Sequence, residues 1–401
     1  MGSSTAQLRP LPYHEALADY LSSAEKEAWA WFASAQAQEE YAEELRLELL
    51  KSTYRLDAAA HGELHQSLAE VVAALTPGLA VTLYQAQDKL VANASVFSLP
   101  GEAHIVIQGN ILGLLDPGEF RGLLGHELAH HRLWMEAGGR FHVADRLAQA
   151  MAADPRAQPS HVETARLLRL YTEIYADRGA LCVTGAVAPV VTGLLKASTG
   201  LSTVDAEGYL RQAEEILTRS KKRTDESSHP ESFIRARAVR LWHDHPDEAD
   251  AEVRRMIEGE VRLDRLDLLG QATHARHTRR WLDLLLAQPV LQSDTTRAQA
   301  RLFFDGYEFP AALPAEDAAL LDELRDSPAS IRDYYLYLLL DFSTVDPDLE
   351  EEPIKAAHRL AHRLEWAERL EALSVKELKF KKRDAKRLRE EALATGESKQ
   401  P

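Results

Sequence analysis

Gly125-His126-Glu127-Leu128-Ala129-His130 decides how this chain is read. It is a His-Glu-x-x-His run. On a helix the two histidines, four residues apart, leave one face one turn apart. That spacing suits two corners of a tetrahedral zinc. Glu127 is turned about 100° from His126, close enough to reach a water on the metal but badly placed as a third ligand. Upstream, Asp116-Pro117-Gly118-Glu119 predicts the helix start. Asp116 can cap, Pro117 fits the first helical position, and Glu119 completes a capping box. Gly138-Gly139 predicts the helix end.

The third ligand has to come from elsewhere. A metzincin would want a Gly at position 133 and a His at 136, where the chain has Leu133 and Glu136. A long helix is expected from about His161 to Leu181. On it Glu173 and Asp177 are four apart and share a stripe with Leu167, Leu168, Leu170 and Ile174. Carboxylates buried on such a stripe need partners. An exposed acidic stripe is the competing reading. The upstream histidines favour a zinc centre with Glu173 as ligand.

Outward from these helices the pattern is mixed. Glu15 to Ala35 and Glu39 to Leu75 carry Leu, Trp and Tyr at helical spacing, with Tyr41, Leu45, Leu49 and Tyr54 near one face. Thr76-Pro77-Gly78 breaks this pattern. Ala80 to Tyr84, Asn93 to Phe97 and Ala103 to Ile107 read as short strands, so a small sheet precedes the His-Glu-x-x-His helix. Residues 140 to 160 read as a polar connection, Gly185 to Leu195 as a core segment, and Lys221 to Ser228 as a polar loop. Ser228-His229-Pro230 starts a helix carrying Arg235, Arg237 and Arg240. From about Pro246 only helices follow, with no clear repeat.

Composition bounds the function. The 401 residues carry a net charge of −16, which disfavours a nucleic-acid partner. One cysteine, Cys182, excludes an intramolecular disulfide framework and fits a reducing, cytoplasmic setting; it is expected buried. No secretory signal and no run of about 18 apolar residues is present, so no membrane span is expected.

Taken together, the motifs resemble the gluzincin metallopeptidases of the CAAX prenyl protease and HtpX heat-shock protease family. The resemblance rests on Asn93-Ala94, the strand at 103–107, His126 to His130, Glu173 to Asp177, and Ser228-His229-Pro230 with Arg235, in that order over about residues 78 to 245. It implies an α+β, predominantly helical fold with a zincin-type core and an all-helical C-terminal region. It also implies a zinc-dependent endopeptidase acting on a protein or peptide substrate, with one Zn2+ per chain. His126, His130 and Glu173 would bind the metal and Glu127 would act as general base through a zinc-activated water. Asp177 would hydrogen-bond a ligating imidazole. His229 would assist at the oxyanion. Asn93 and the strand His104, Ile105, Val106 would hold the substrate as an added strand. Many family members carry membrane helices around this core. Here Arg132, Glu136, Arg140, Asp145 and Arg146 follow the helix, so a soluble member is expected.

Around that core the expected parts are an N-terminal helical region (1–76), a peptidase domain (77–245), a connecting region (246–312), a helical module (313–375) and a basic tail (376–401). The module, through Tyr337 to Phe342 and the acidic turn Asp346-Pro347-Asp348-Leu349-Glu350, resembles the TerB tellurite-resistance fold, which implies a protein partner. Helix capping explains the same acidic turn. The tail holds nine Lys or Arg against five Asp or Glu and reads as an exposed, partly disordered helix. His358 and His362, His243 and His245, and His274 and His277 read as surface residues, and His131 as structural. The alternative function is a latent or inactive zinc-binding scaffold whose helical regions bind partner proteins.

Overall fold

The structure is a computed structural model that describes residues 7–87, 92–219, 229–310 and 317–397, without the side chains of 35–41 and 395–397. The chain divides into two compact units, Met1–Glu260 and Val261–Pro401.

The first unit begins with helices α1 (Pro12–Ala24), α2 (Lys26–Phe32) and α3 (Ala35–Ser52), then strand β1 (Thr53–Arg55) and α4 (Gly62–Leu75). Three strands follow, β2 (Ala80–Ala86), β3 (Asn93–Leu99) and β4 (Glu102–Gln108), then the short α5 (Ile111–Leu114). The rest is helical: α6 (Pro117–Met135), α7 (Arg140–Ala153), α8 (Pro159–Thr184), α9 (Val187–Thr199), α10 (Ala206–Arg219), α11 (Ser232–Asp244) and α12 (Pro246–Glu258). α12, assigned from sequence to the connecting region, falls in this unit.

The sheet order is β1-β2-β4-β3, with β2 and β4 parallel and the other pairs antiparallel. The three strands expected from alternation are present. β1 was expected as helix. Its Tyr54 pairs with Gln85 and is exposed, whereas Leu45 and Leu49 pack under the sheet with Tyr84, Leu99 and Val106. A three-residue strand carries too little pattern to separate it from the end of α3, so tertiary pairing decides. Tyr41 lies outside the described side chains.

The start of α6 follows its sequence. The Asp116 side chain accepts from the Gly118 and Glu119 N–H groups, and Glu119 reaches back to the Asp116 N–H. The helix ends at Met135, and a turn through Ala137, Gly138 and Gly139, all at positive φ, leads into α7. The expected connection over 140–160 is therefore corrected to a helix over Arg140–Ala153, with a short turn before α8. Phe141, Val143, Ala144 and Leu147 are buried on one face, at a spacing that the polar residues between them obscured. Residues 221–228, expected as a loop, lie outside the described residues.

The second unit contains α13 (Leu268–Leu286), α14 (Asp294–Arg301), α15 (Ala318–Arg325), α16 (Ala329–Thr344), α17 (Glu352–His362), α18 (Ala367–Glu377) and α19 (Lys382–Glu397). Its core joins Trp281, Tyr335, Leu339, Phe342, Leu360 and Leu388. Leu388 belongs to the basic tail, so the exposed, partly disordered tail is also corrected. Ala385, Leu388 and Ala392 are buried along one face of α19, while Arg387 and Arg389 pair with Glu351 and Glu371. In the acidic turn, Asp346 accepts from the Asp348 N–H at 3.1 Å, which is the capping role. His358 and His277, read as surface residues, are buried in this unit. His358 lies on the apolar side of α17, between Ile354 and Ala361. Cys182, expected buried, is half-buried, and His131, read as structural, is buried. Among the described residues no helix is long and apolar enough to cross a membrane.

Candidate metal centre

α6 supplies His126, Glu127 and His130; α8 supplies Glu173 and Asp177; α11 supplies Arg235. With Asn93 on β3 and His229 just before α11, they line one cavity of about 440 Å3. α6 and α8 approach closely because their contact is built of small residues. A Cβ at Gly179 would lie 2.3 Å from the Ala129 Cβ, and one at Gly125 would lie 3.1 Å from the Ala180 Cα. This close approach lets a short glutamate side chain reach both histidines.

His126 Nε2 and His130 Nε2 are 3.2 Å apart. Glu173 Oε2 lies 3.6 Å from the first, and Glu173 Oε1 lies 3.6 Å from the second. One ligand atom from each residue fits within a 4.8 Å span, the single such group among the described residues. Two nitrogens at the zinc–nitrogen distance from a tetrahedral ion are about 3.3 Å apart. The anionic Asp177 can only accept, so His126 Nδ1 donates to its Oδ1 at 3.0 Å and His126 Nε2 keeps its lone pair facing His130. Glu173 Oε2 is buried without a hydrogen-bond donor. Inward-facing lone pairs beside a buried carboxylate leave a place for a cation, and the donor set suits zinc.

The electrostatics follow from burial and from Arg235. Burial pushes the Glu127 carboxyl up to about 7 against the charge of His126; the Val96 N–H on β3 donates to it. Burial and then the charge of His126 push His130 down to about 4. Burial would lower His126 too, but the hydrogen bond to Asp177 and the charges of Glu173 and Asp177 raise it. Burial would raise both Glu173 and Asp177, yet the Arg235 guanidinium holds each below its ordinary range. Arg235 donates to both Asp177 oxygens and lies 3.4 Å from Glu173 Oε2.

Asn93, His126, Glu127, His130, Glu173, Asp177, His229 and Arg235, all singled out from sequence, therefore meet at one cavity. His229 is half-exposed, with Nε2 3.7 Å from Glu173 Oε1. His104, Ile105 and Val106 do not join them. They lie on β4, which pairs with β2 on one side and β3 on the other, so no edge is left for an added strand. His104 instead meets the Tyr84 hydroxyl at 3.3 Å. The strand at the cleft is β3, through Asn93, Ala94, Ser95 and Val96. Because the Val96 N–H points to Glu127 rather than to β4, the same edge of Ala94 and Ser98 is also turned from β4.

Sequence reading did not place Trp134, whose ring lies 5.5 Å from that of His130 at a tilt of 30°. It did not place His14 on α1 either, which meets Thr172 Oγ1 at 3.2 Å beside Glu173. Trp134 is four residues after His130 on α6, a spacing that signals the contact, whereas His14 is brought in by long-range packing that leaves no local signal. Arg235 was named in the sequence, and its place beside the two carboxylates follows from their need for a cation on a buried stripe.

The chain matches no curated protein and no solved structure. Residues 58–243 match the family model of peptidase family M48, a span that contains every residue of the cavity wall discussed above. Over that span the chain is similar to peptidase family M48.

Proposed function

We propose that this chain is a zinc-dependent endopeptidase. The observation that carries the reading is the convergence of His126 Nε2, His130 Nε2 and the Glu173 carboxylate beside Glu127 in an accessible cavity. His126, His130 and Glu173 would hold the zinc. When bound, the ion supplies Lewis acidity, acidifying a water and polarising the scissile carbonyl.

The chain's own groups do the rest. Glu127 takes a proton from the attacking water on its carboxylate and delivers it to the departing amine nitrogen. Asp177 fixes the His126 tautomer, and Arg235 keeps Asp177 and Glu173 ionised in a buried site. His229 lies at the cavity wall, within reach of a carbonyl oxygen that gains charge. The free edge of β3 pairs with an extended substrate backbone, and Asn93 binds a substrate carbonyl. This role replaces the one expected of β4. The single, half-buried cysteine suits a reducing, cytoplasmic setting.

The test is metal dependence on an unfolded protein substrate. Zinc-loaded protein should cut reduced, alkylated casein, lose that activity with a chelator, and regain it with zinc. Activity that persists after complete zinc removal would sink the proposal.

A further inference from the structure

The cavity around the metal centre has two unlike ends. Past His130 its wall carries the polar Asp145, Gln149, Arg169 and Thr172 beside the ring of Trp134. On the His126 side it is apolar, lined by Leu115, Leu123, Pro189, Val190, Leu194 and Ala197. Leu123 precedes Glu127 by one helical turn on α6, so this end opens beside the general base. The α9 residues at 189–190, 193–194 and 197 form one face of that helix. Behind them, Lys196 Nζ meets Glu119 Oε2 at 2.7 Å, and the same oxygen accepts from the Asp116 N–H at 2.8 Å. The buried charges at this end satisfy each other, so the slot offers a charged guest no free partner.

Gly193 lies at the centre of α9 and also lines the slot. Glycine inside a helix costs about 0.5–1 kcal/mol relative to alanine. Packing explains that cost at Gly179, where a Cβ would collide with Ala129 at 2.3 Å. It does not at Gly193, where a Cβ would sit at ordinary contact distances, 3.7 Å from the Glu119 Cβ and 3.8 Å from its carbonyl oxygen. What the missing methyl does at Gly193 is deepen the slot.

We infer that Gly193 forms the floor of a side-chain slot between α6 and α9 that receives a large apolar residue of the substrate at one of the two positions flanking the cut bond. The inference rests on the peptidase reading above. The end beside Glu127 is the one walled by aliphatic side chains, so selection for a large apolar side chain is strongest on the flank that it receives. A methyl on the floor shortens the slot, and a fit altered by one methylene changes kcat/KM by about 10–200-fold.

The experiment compares full-length, zinc-loaded wild type, Gly193→Ala and Leu194→Ala on peptide libraries randomised on both sides of the cut, with products sequenced by mass spectrometry. Wild type is expected to select Leu, Met or Phe at one flanking position. Gly193→Ala should disfavour Phe against Ala there by about tenfold or more, with zinc content kept and a melting temperature equal or higher. Leu194→Ala, which widens the wall, should shift selection toward larger residues. Cleavage with no apolar selection on either flank, or profiles in both variants that superimpose on wild type, overturns the slot and leaves the peptidase reading standing. A zinc-loaded wild type that cuts nothing overturns both.

Discussion

Arg235 grips Asp177 with two nitrogens, Nη2 to Oδ1 at 2.6 Å and Nε to Oδ2 at 2.8 Å, and Oδ1 also takes the hydrogen bond from His126 Nδ1. One guanidinium thus orients His126 of the candidate metal centre through a carboxylate while also lying beside Glu173. Removing it leaves two buried carboxylates with too little positive charge. Arg235→Met is predicted to cost about 3–5 kcal/mol of stability and to weaken zinc binding about 10–100-fold. Arg235→Lys keeps the charge but loses the two-pronged grip, so it should keep stability better than zinc affinity. Denaturant unfolding with a zinc-competition titration checks both. Unchanged zinc affinity in Arg235→Met would refute the relay.

Glu173 joins the two histidines into one donor set. A zinc ion held by the folded site would stabilise it, so zinc removal should lower the wild-type melting temperature. Glu173→Gln removes the charge while keeping the shape. Its melting temperature should respond little to chelator or to added zinc. Calorimetry with and without zinc separates the cases, and a wild type indifferent to zinc would speak against the centre.

His358 makes a pH prediction for the second unit. It is fully buried, with neither ring nitrogen hydrogen-bonded. Burial, then the Arg389 charge, pushes its pKa down to about 4. In the unfolded chain it titrates near 6.5. Between these values the unfolded state binds more protons, so stability is complete above about pH 6.5 and is lost as pH falls toward 4. The loss is on the order of 3 kcal/mol at the acid end. Melting from pH 7 to pH 5 should fall more steeply in wild type than in His358→Leu. Equal slopes would contradict the buried, neutral histidine.

The basic C-terminal helix gives a packing prediction. Leu388 is 4% exposed and belongs to the second unit's core. Leu388→Ala should destabilise by about 2–5 kcal/mol, whereas Lys386→Ala on the exposed face should change little. A solvated tail would show no difference between the two, and chemical denaturation distinguishes the outcomes.

These residues also show what the sequence could reveal. His126, Glu127, His130, Glu173 and Asp177 were legible because helical spacing and ligand chemistry constrain few residue types. The cap at Asp116 and the strands β2 to β4 were legible because capping and alternation are local. β1 was not, since three residues hold no period and pairing with β2 defines it. Nor was the order β2-β4-β3, which buries His104, Ile105 and Val106 in the sheet and gives the cleft edge to β3. Strand order is long-range and leaves no mark on a single strand. The surface reading failed for His358 because a lone histidine looks the same in sequence on either side of α17. The tail misled because its charges outnumber the three buried positions Ala385, Leu388 and Ala392.

The most direct measurement pairs zinc content with unbiased cleavage-site profiling of wild type and Glu127→Gln. Glu127→Gln keeps the buried side chain's shape but cannot carry the proton. Both proteins should hold one zinc per chain. Wild type should cut and the variant should be slower by about 100-fold or more. Equal cleavage by both at equal zinc content, or no cleavage by zinc-loaded wild type, would contradict Glu127 as the proton carrier of a zinc peptidase.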